Sequence, residues 1–173
     1  MSYLLKPRFV FVAIFLGCAG LLLFGLYLQH ALDLEPCPMC ILQRYAFLAI
    51  GLIAGVAALQ APARAGTGIY AVIIALAATA GGGVAAWQTW LQHNPPQLAD
   101  CGPGLEFMVE SFPLTEALPM IFRGSGDCSK VQWTWLGLSI AEWSFVAFSG
   151  IFLVAAWTLA RSLRARGDRA GLA

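Results

Sequence analysis

Four long apolar runs alternate with polar segments along this 173-residue chain. They cover about residues 9–28, 41–59, 69–91 and 143–159. Each is long enough to cross the hydrocarbon core of a bilayer, which takes about 20 helical residues. The pattern therefore predicts an all-α integral membrane protein, a four-helix bundle that forms one domain over residues 1–173.

The first apolar run resembles a secretory signal because the basic residues Lys6 and Arg8 precede it. It is longer than the roughly 7–15 residues of a signal's apolar core, and no small-x-small cleavage site ends it. We therefore interpret it as the first spanning helix. The composition supports the membrane assignment, since 60% of residues are apolar and 11% charged, against about 45–50% and roughly 25% in soluble domains.

Basic residues are concentrated in the segments that would share one side of the membrane. These residues are Lys6, Arg8, Arg64, Arg161, Arg164, Arg166 and Arg169. Because Lys and Arg are retained on the cytoplasmic side, both termini are predicted to be cytoplasmic. The extracytoplasmic side then receives two loops, at about residues 29–40 and 92–142.

The second outer loop contains both turn signals and a candidate surface helix. Pro95, Pro96 and Pro103 exclude a regular helix near its start. Apolar residues in the range 112–122 recur at a spacing that predicts a short helix parallel to the membrane. Three tryptophans are expected at the level of the lipid headgroups: Trp133, Trp135 and Trp143. The loop is therefore expected to lie close to membrane lipid.

Four of the five cysteines fall in the predicted outer loops: Cys37, Cys40, Cys101 and Cys128. Cys18 lies within the first helix and is expected to be a small core residue. The compact four-span layout suggests a bacterial protein, whose outer loops would face the periplasm, where disulfides form and persist. Four outward cysteines are enough for two pairs.

The spacing of Cys37 and Cys40 favours redox chemistry over a structural role. A four-residue disulfide ring would stabilise the fold by about 2 kcal/mol, against about 3.5 kcal/mol for a Cys101–Cys128 ring. In a Cys-x-x-Cys pair, one thiol can resolve a mixed disulfide formed by its neighbour. The unequal spacings, with two and 26 intervening residues, do not match a paired zinc motif, so no metal is predicted.

Local sequence places Cys40 where an anion is favoured. Pro38 is suited to the first position of a helix, so Cys40 would lie in the first turn, near unpaired N–H groups and the positive end of the helix dipole. Arg44 would lie one turn deeper on the same face, about 6 Å along the axis. It either reaches the outer headgroups or provides a counter-charge for a membrane-soluble electron acceptor. The thiol above it favours the second role.

Two segments resemble the DsbB family of inner-membrane disulfide-generating proteins: "CPMCILQR", from Cys37 to Arg44, and "SGDCSKVQWTWLGLSIAEW", from Ser125 to Trp143. The likeness covers essentially the whole chain, with four spans and one cysteine pair in each outer loop. It implies a protein-disulfide oxidoreductase that reoxidises a periplasmic DsbA-like thioredoxin-fold protein. Its electrons would pass to ubiquinone or menaquinone, and no nucleic acid is expected as a partner.

The resemblance also implies roles for the four outer cysteines, as the redox disulfides Cys37–Cys40 and Cys101–Cys128. Cys101 matches the family cysteine that binds the partner in a mixed disulfide. Cys128 matches its resolving mate, which then engages Cys37. Cys40 matches the thiolate nearest the quinone.

Two further residues are implied to bind the quinone. Arg44 matches the arginine beside it, and His93 matches a histidine at its ring. From position alone, a histidine there is more often just the polar end of the third helix. Two other functions are compatible with the layout: a binding module with static disulfides, and a scaffold within a larger membrane complex. Static disulfides would not need Arg44 at this depth, and a scaffold would not need two cysteines as close as Cys37 and Cys40.

Overall fold

The computed structural model describes residues 7–34, 36–95, 131 and 133–170, with side chains described as far as Arg164. Its elements are α1 (Pro7–Ala31), α2 (Pro38–Gln60), α3 (Arg64–His93), β1 (Thr134–Trp135), β2 (Leu138–Ser139) and α4 (Ile140–Ala170). The predicted all-α, four-helix membrane architecture is confirmed, because all four helices are long and apolar enough to cross a membrane. Each predicted apolar run lies inside one of them.

Two parts of the prediction lie outside the described residues. These are the surface helix expected within residues 112–122 and the second cysteine pair, Cys101 and Cys128.

The helices pack mainly against their neighbours in sequence, α1 on α2, α2 on α3 and α3 on α4, whereas α1 and α4 barely touch. All four are apolar around most of their circumference, since the bundle covers one face and the outward face meets lipid. Exposed leucines and phenylalanines on α1 illustrate this, such as Leu16, Leu23 and Phe24. The open side between α1 and α4 leaves room for a cavity.

Close packing of α3 and α4 depends on a glycine. Phe148 of α4 stacks on Phe47 of α2, with ring centroids 4.0 Å apart and an interplanar angle of 5°. A Cβ atom at Gly81 of α3 would lie 2.5 Å from the Phe148 ring and 3.0 Å from Cβ of Ala46. Only a residue without a side chain lets the helix backbone approach this pair.

One end of the bundle gathers the first turns of α1 and α3 with the later part of α4. Phe11 of α1 meets Tyr70 of α3 edge to face, with centroids 6.2 Å apart. A Cβ at Gly68 of α3 would be 3.0 Å from Oγ of Ser162 in α4. The cysteine pair at the start of α2 therefore lies at the opposite end.

A short hairpin that the sequence analysis did not predict leads into α4. Thr134 pairs with Ser139 and Trp135 with Leu138, in antiparallel register. The turn between them needs positive φ at two residues, +54° at Leu136 and +81° at Gly137. Glycine adopts this conformation without steric cost, which makes it suited to the turn.

The hairpin is fixed to α4 by a reciprocal capping arrangement. The backbone N–H of Ser139 donates to Oε2 of Glu142 at 2.6 Å, and the N–H of Glu142 donates to Oγ of Ser139 at 3.3 Å. This is the capping box expected of Ser-x-x-Glu at a helix start. Oγ of Ser139 also donates to Oε1 of Gln92 at 2.7 Å, which ties the start of α4 to α3.

Candidate redox site

The Cys-x-x-Cys segment forms the N-terminus of α2, as its proline predicts. Cys37 is the N-cap residue with extended backbone angles, and Pro38 is the first helical residue. The backbone N–H of Cys40 donates to Sγ of Cys37 at 3.3 Å. A sulfur thus occupies the position at which a helix start accepts hydrogen bonds.

The two sulfurs are placed for reversible bond formation. Sγ of Cys37 and Sγ of Cys40 lie 2.8 Å apart. A disulfide has an S–S length of about 2.05 Å, so an approach of roughly 0.75 Å is sufficient to form one. Cys37 is buried and Cys40 half-buried, which limits the access of water to both.

A glutamine of α3 bridges both sulfurs. Nε2 of Gln88 lies 3.2 Å from Sγ of Cys37 and 3.3 Å from Sγ of Cys40. Its Oε1 accepts a hydrogen bond from Nε2 of Gln43 at 2.7 Å. Both glutamine residues are only 3% exposed, so their polar atoms depend on these protein partners rather than on water.

Arg44 is tethered to α1 rather than to the cysteines. Its Nη1 donates to Oε1 of Gln29 at 2.6 Å, and its Nη2 donates to the backbone carbonyl of Gly25 at 3.0 Å. The residue as a whole is half-buried. Because two acceptors on a neighbouring helix fix its position, the positive charge is held inside the bundle, one turn below Cys40.

An apolar cavity of about 630 Å³ connects these groups. Its walls come from all four helices and the hairpin, and its polar atoms belong to few side chains, among them Cys40, Arg44 and Gln88. Apolar wall residues include Leu21, Phe24, Leu28, Phe47, Trp135 and Trp143. A cavity of this size and character suits a small, largely apolar molecule with a few hydrogen-bonding atoms.

The structure therefore brings Cys37, Cys40 and Arg44 to one cavity wall, but it does not place His93 there. The imidazole of His93 is 66% exposed, its Nδ1 donates to the Thr89 carbonyl at 2.9 Å, and its Nε2 lies 3.9 Å from Oε1 of Glu142. His93 is absent from the cavity lining. Its role toward a quinone stays a prediction.

Four glutamines were missed by sequence reasoning: Gln29, Gln43, Gln88 and Gln92. Gln43, Gln88 and Gln92 line the cavity, and Gln29 holds Arg44. A signal existed, because polar side chains within spanning helices face the bundle interior and often mark functional sites. The four-residue spacing of Gln88 and Gln92 also places them on one face of α3.

No three His, Cys, Asp or Glu side chains are grouped as a metal site requires, within the part of the chain that the structure describes. The expected absence of a metal at the four outer cysteines is not tested by this, because Cys101 and Cys128 lie outside it.

Comparison with known proteins extends over nearly the whole chain. The profile of the family described as "Disulfide bond formation protein DsbB" matches residues 7–158. A protein named Disulfide bond formation protein B from Aromatoleum aromaticum is 60% identical over 166 residues, covering 96% of this chain and 98% of the relative. A protein of that name from Azoarcus sp. strain BH72 is 59% identical over 152 residues, which cover 88% of this chain and 92% of the relative. Another, from Polaromonas naphthalenivorans, is 48% identical over 169 residues, which cover 96% of this chain and 99% of the relative.

Proposed function

Because the chain belongs to the DsbB family of disulfide bond formation proteins, we propose that it reoxidises a periplasmic DsbA-like dithiol protein and passes the electrons to membrane quinone, either ubiquinone or menaquinone. Family membership makes it a disulfide oxidoreductase, and its four helices make it a multi-pass membrane protein. One observation carries the proposal: two sulfurs 2.8 Å apart lie on the wall of an apolar cavity that also contains a tethered arginine.

The residues of the cavity fit a quinone head. A quinone combines a flat apolar ring with carbonyl oxygens, and the cavity of about 630 Å³ offers apolar walls and a few side chains with N–H groups, among them Arg44 and Gln88. Arg44 would donate to an oxygen of the ring, because its planar group suits an oxygen acceptor. When bound, the quinone supplies a two-electron, two-proton acceptor.

The chain's own residues then perform the inner redox step. As a dithiol, Cys37 and Cys40 lose two protons and two electrons and form one S–S bond. Cys40 faces the cavity from the first turn of α2, where the helix dipole favours its thiolate. Arg44 would stabilise negative charge on the oxygens of a bound quinone, an effect strengthened where apolar walls exclude water.

The outer exchange steps use the second cysteine pair. A thiolate of the partner attacks Cys101 and releases Cys128, and the partner's second thiolate then displaces Cys101, which leaves the partner oxidised. Cys128 next attacks Cys37 and releases Cys40. Cys101 resolves the Cys37–Cys128 bond, so the outer disulfide is restored and the inner pair is reduced. Each exchange breaks one S–S bond and forms another.

Orientation in the inner membrane completes the proposal, with both termini cytoplasmic and the cysteine end periplasmic. Arg64 and Arg161 belong to the bundle end opposite the cysteines, where α3 begins and α4 approaches its end. Basic residues at that end support a cytoplasmic placement.

An anaerobic turnover experiment tests the function. Purified protein, a quinone and a reduced periplasmic thioredoxin-fold protein are mixed, and quinone reduction is followed by absorbance. One quinone should be reduced for each partner disulfide formed. Cys40→Ser should abolish this and Cys18→Ala should not. Absence of quinone reduction by folded wild-type protein, with static disulfides, would favour the binding-module or scaffold alternative.

A further inference from the structure

The carboxamide of Gln88 makes an unusual pair of contacts for a buried neutral side chain. Its Nε2 lies within hydrogen-bond distance of both redox sulfurs, at 3.2 Å from Cys37 and 3.3 Å from Cys40. As a thiol, Cys40 can also donate to Oε1 of Gln88, but that atom is 3.8 Å away. The nearer contact is the one in which sulfur accepts.

Gln43 decides which end of the Gln88 amide faces the sulfurs. An amide can present either its NH₂ group or its oxygen, and the hydrogen-bond network selects between them. Because Nε2 of Gln43 donates to Oε1 of Gln88 at 2.7 Å, the amide oxygen is directed toward Gln43 and the NH₂ group toward the cysteines. The contact joins α2 to α3 across 45 residues of sequence.

These donors favour the reduced state of the pair over the oxidised state. An N–H group bonds an anionic sulfur more strongly than a neutral one, and a disulfide carries no charge. Both glutamine residues are 97% buried, as the 3% exposure of each implies, so water cannot replace a lost donor there. An interaction that stabilises the reduced form makes a disulfide more oxidising.

From this arrangement we infer that Gln88, oriented by Gln43, stabilises the sulfur anion of the reduced Cys37–Cys40 pair with neutral donors and thereby raises the reduction potential of this disulfide. The inference rests on the redox role of Cys37–Cys40 within the proposed function. A buried pair of amides thus adds to the stabilisation of the thiolate, for which the sequence alone indicates only the helix dipole and Arg44.

The test measures the redox equilibrium of Cys37–Cys40 without quinone or partner protein. Full-length protein in detergent, carrying Cys18→Ala, Cys101→Ala and Cys128→Ala, is equilibrated anaerobically with reduced and oxidised glutathione. Two glutathione molecules reduce the disulfide and leave as one glutathione disulfide. The reduced fraction is then counted by alkylation and mass spectrometry.

Gln88→Met keeps the length of the side chain but removes its donor. In this variant we expect the equilibrium constant for reduction of the Cys37–Cys40 disulfide by glutathione to fall about tenfold. This corresponds to a reduction potential lower by about 30 mV for two electrons. Gln88→Glu places an acceptor against the sulfurs and should shift the equilibrium further in the same direction. An unchanged equilibrium in folded Gln88→Met protein would overturn the inference.

Gln43 provides a test of the mechanism, since it acts through Gln88. Gln43→Met should shift the equilibrium in the same direction but by less. Adding Gln43→Met to Gln88→Met should then change nothing more. Fully additive effects of the two substitutions would show that Gln43 does not act by orienting the amide.

Gln60→Met serves as the matched control, because Gln60 lies at the other end of α2 and accepts a hydrogen bond from the Tyr70 hydroxyl at 2.6 Å. It should leave the equilibrium unchanged.

A purely structural role of Gln88 would lower the unfolding temperature without moving the equilibrium constant, and that result would also overturn the inference. The glutathione equilibrium needs no quinone, so failure of quinone turnover with an intact Gln88 effect would count against the proposed function alone.

Discussion

At the scale of single residues, the contacts of Arg44 differ from those of an arginine on a helix surface that extends to the lipid headgroups. Its Nη atoms are bound to Gln29 and to the carbonyl of Gly25 on the neighbouring helix. A guanidinium extended toward the headgroups would not need two acceptors on α1. These contacts support a cation that serves the cavity rather than the lipid surface.

Replacement of Arg44 should therefore impair the use of quinone. We expect Arg44→Ala to raise the Michaelis constant for quinone by more than tenfold, because loss of one charged partner at a buried site costs on the order of 2–4 kcal/mol. Arg44→Lys should restore only part of the lost affinity for quinone, since lysine lacks the planar, forked guanidinium group. Steady-state kinetics with varied quinone measure both. Gln29→Leu is the matched variant and should give a smaller increase, because the cation remains but loses one tether.

Partner binding at Cys101 should remain nearly intact in Arg44→Ala, which separates the two half-reactions. Quinone kinetics that do not change in a folded Arg44→Ala protein would return this arginine to the headgroup interpretation.

The cysteines differ in whether turnover needs them. Each of Cys37, Cys40, Cys101 and Cys128 should be essential, whereas Cys18 is 1% exposed within the apolar core and should be dispensable. A partner whose second cysteine is replaced by serine cannot displace Cys101, so a covalent complex between that partner and Cys101 should accumulate. Electrophoresis without reductant detects it, and an added Cys101→Ser must abolish it. An inactive but folded Cys18→Ala protein would contradict the proposed relay.

At the scale of elements, the approach of α3 to α2 and α4 depends on Gly81. An added methyl group would lie 2.5 Å from the Phe148 ring, and that ring cannot move away because it is stacked on Phe47. Gly81→Ala should therefore lower the free energy of unfolding by about 1–3 kcal/mol, as overpacked cores do. Thermal unfolding in detergent measures the loss.

Gly83→Ala is the control for this packing prediction. A Cβ at Gly83 has nothing within 4 Å, and alanine has the higher helix propensity by about 1 kcal/mol. The substitution should leave stability unchanged or raise it slightly. Equal losses at positions 81 and 83 would show that the effect arises from the helix itself and not from its contact with Phe148.

At the scale of the whole molecule, four antiparallel helices place the Cys37–Cys40 pair and the basic segments at opposite ends. The cysteine pair begins α2, whereas Arg64 begins α3 at the end shared with the later part of α4. Because α1 and α4 make few contacts, the space between them holds the cavity. A membrane orientation follows from the distribution of positive charge.

Labelling of intact cells tests this orientation. After mild reduction, a membrane-impermeant thiol reagent should modify Cys101 but not a cysteine introduced by Gly167→Cys, directly after Arg166. Permeabilised cells provide the control, in which both positions should react. Modification of the introduced cysteine in intact cells would invert the predicted topology.

Local sequence by itself determined the four helices and the start of α2. Apolar run length predicts a spanning helix because lipid offers no alternative partner to backbone polar groups. Pro38 and the cysteine before it specify a helix start through backbone geometry and capping, which depend on adjacent residues only. The order Cys40 then Arg44 also fixes their shared face, since it follows from the helical repeat.

Only the tertiary structure decided which polar side chains face the sulfurs of Cys37 and Cys40. Helices that are apolar around most of their surface give little indication of which face turns toward the bundle. The apolar periodicity of α3 therefore does not identify its inward face. Packing around small residues such as Gly81 sets that rotation, and it turns Gln88 toward the cysteines while His93, five residues later, stays at the exposed helix end. The contact of Gln88 with Gln43 joins two helices and exists only after they pack together.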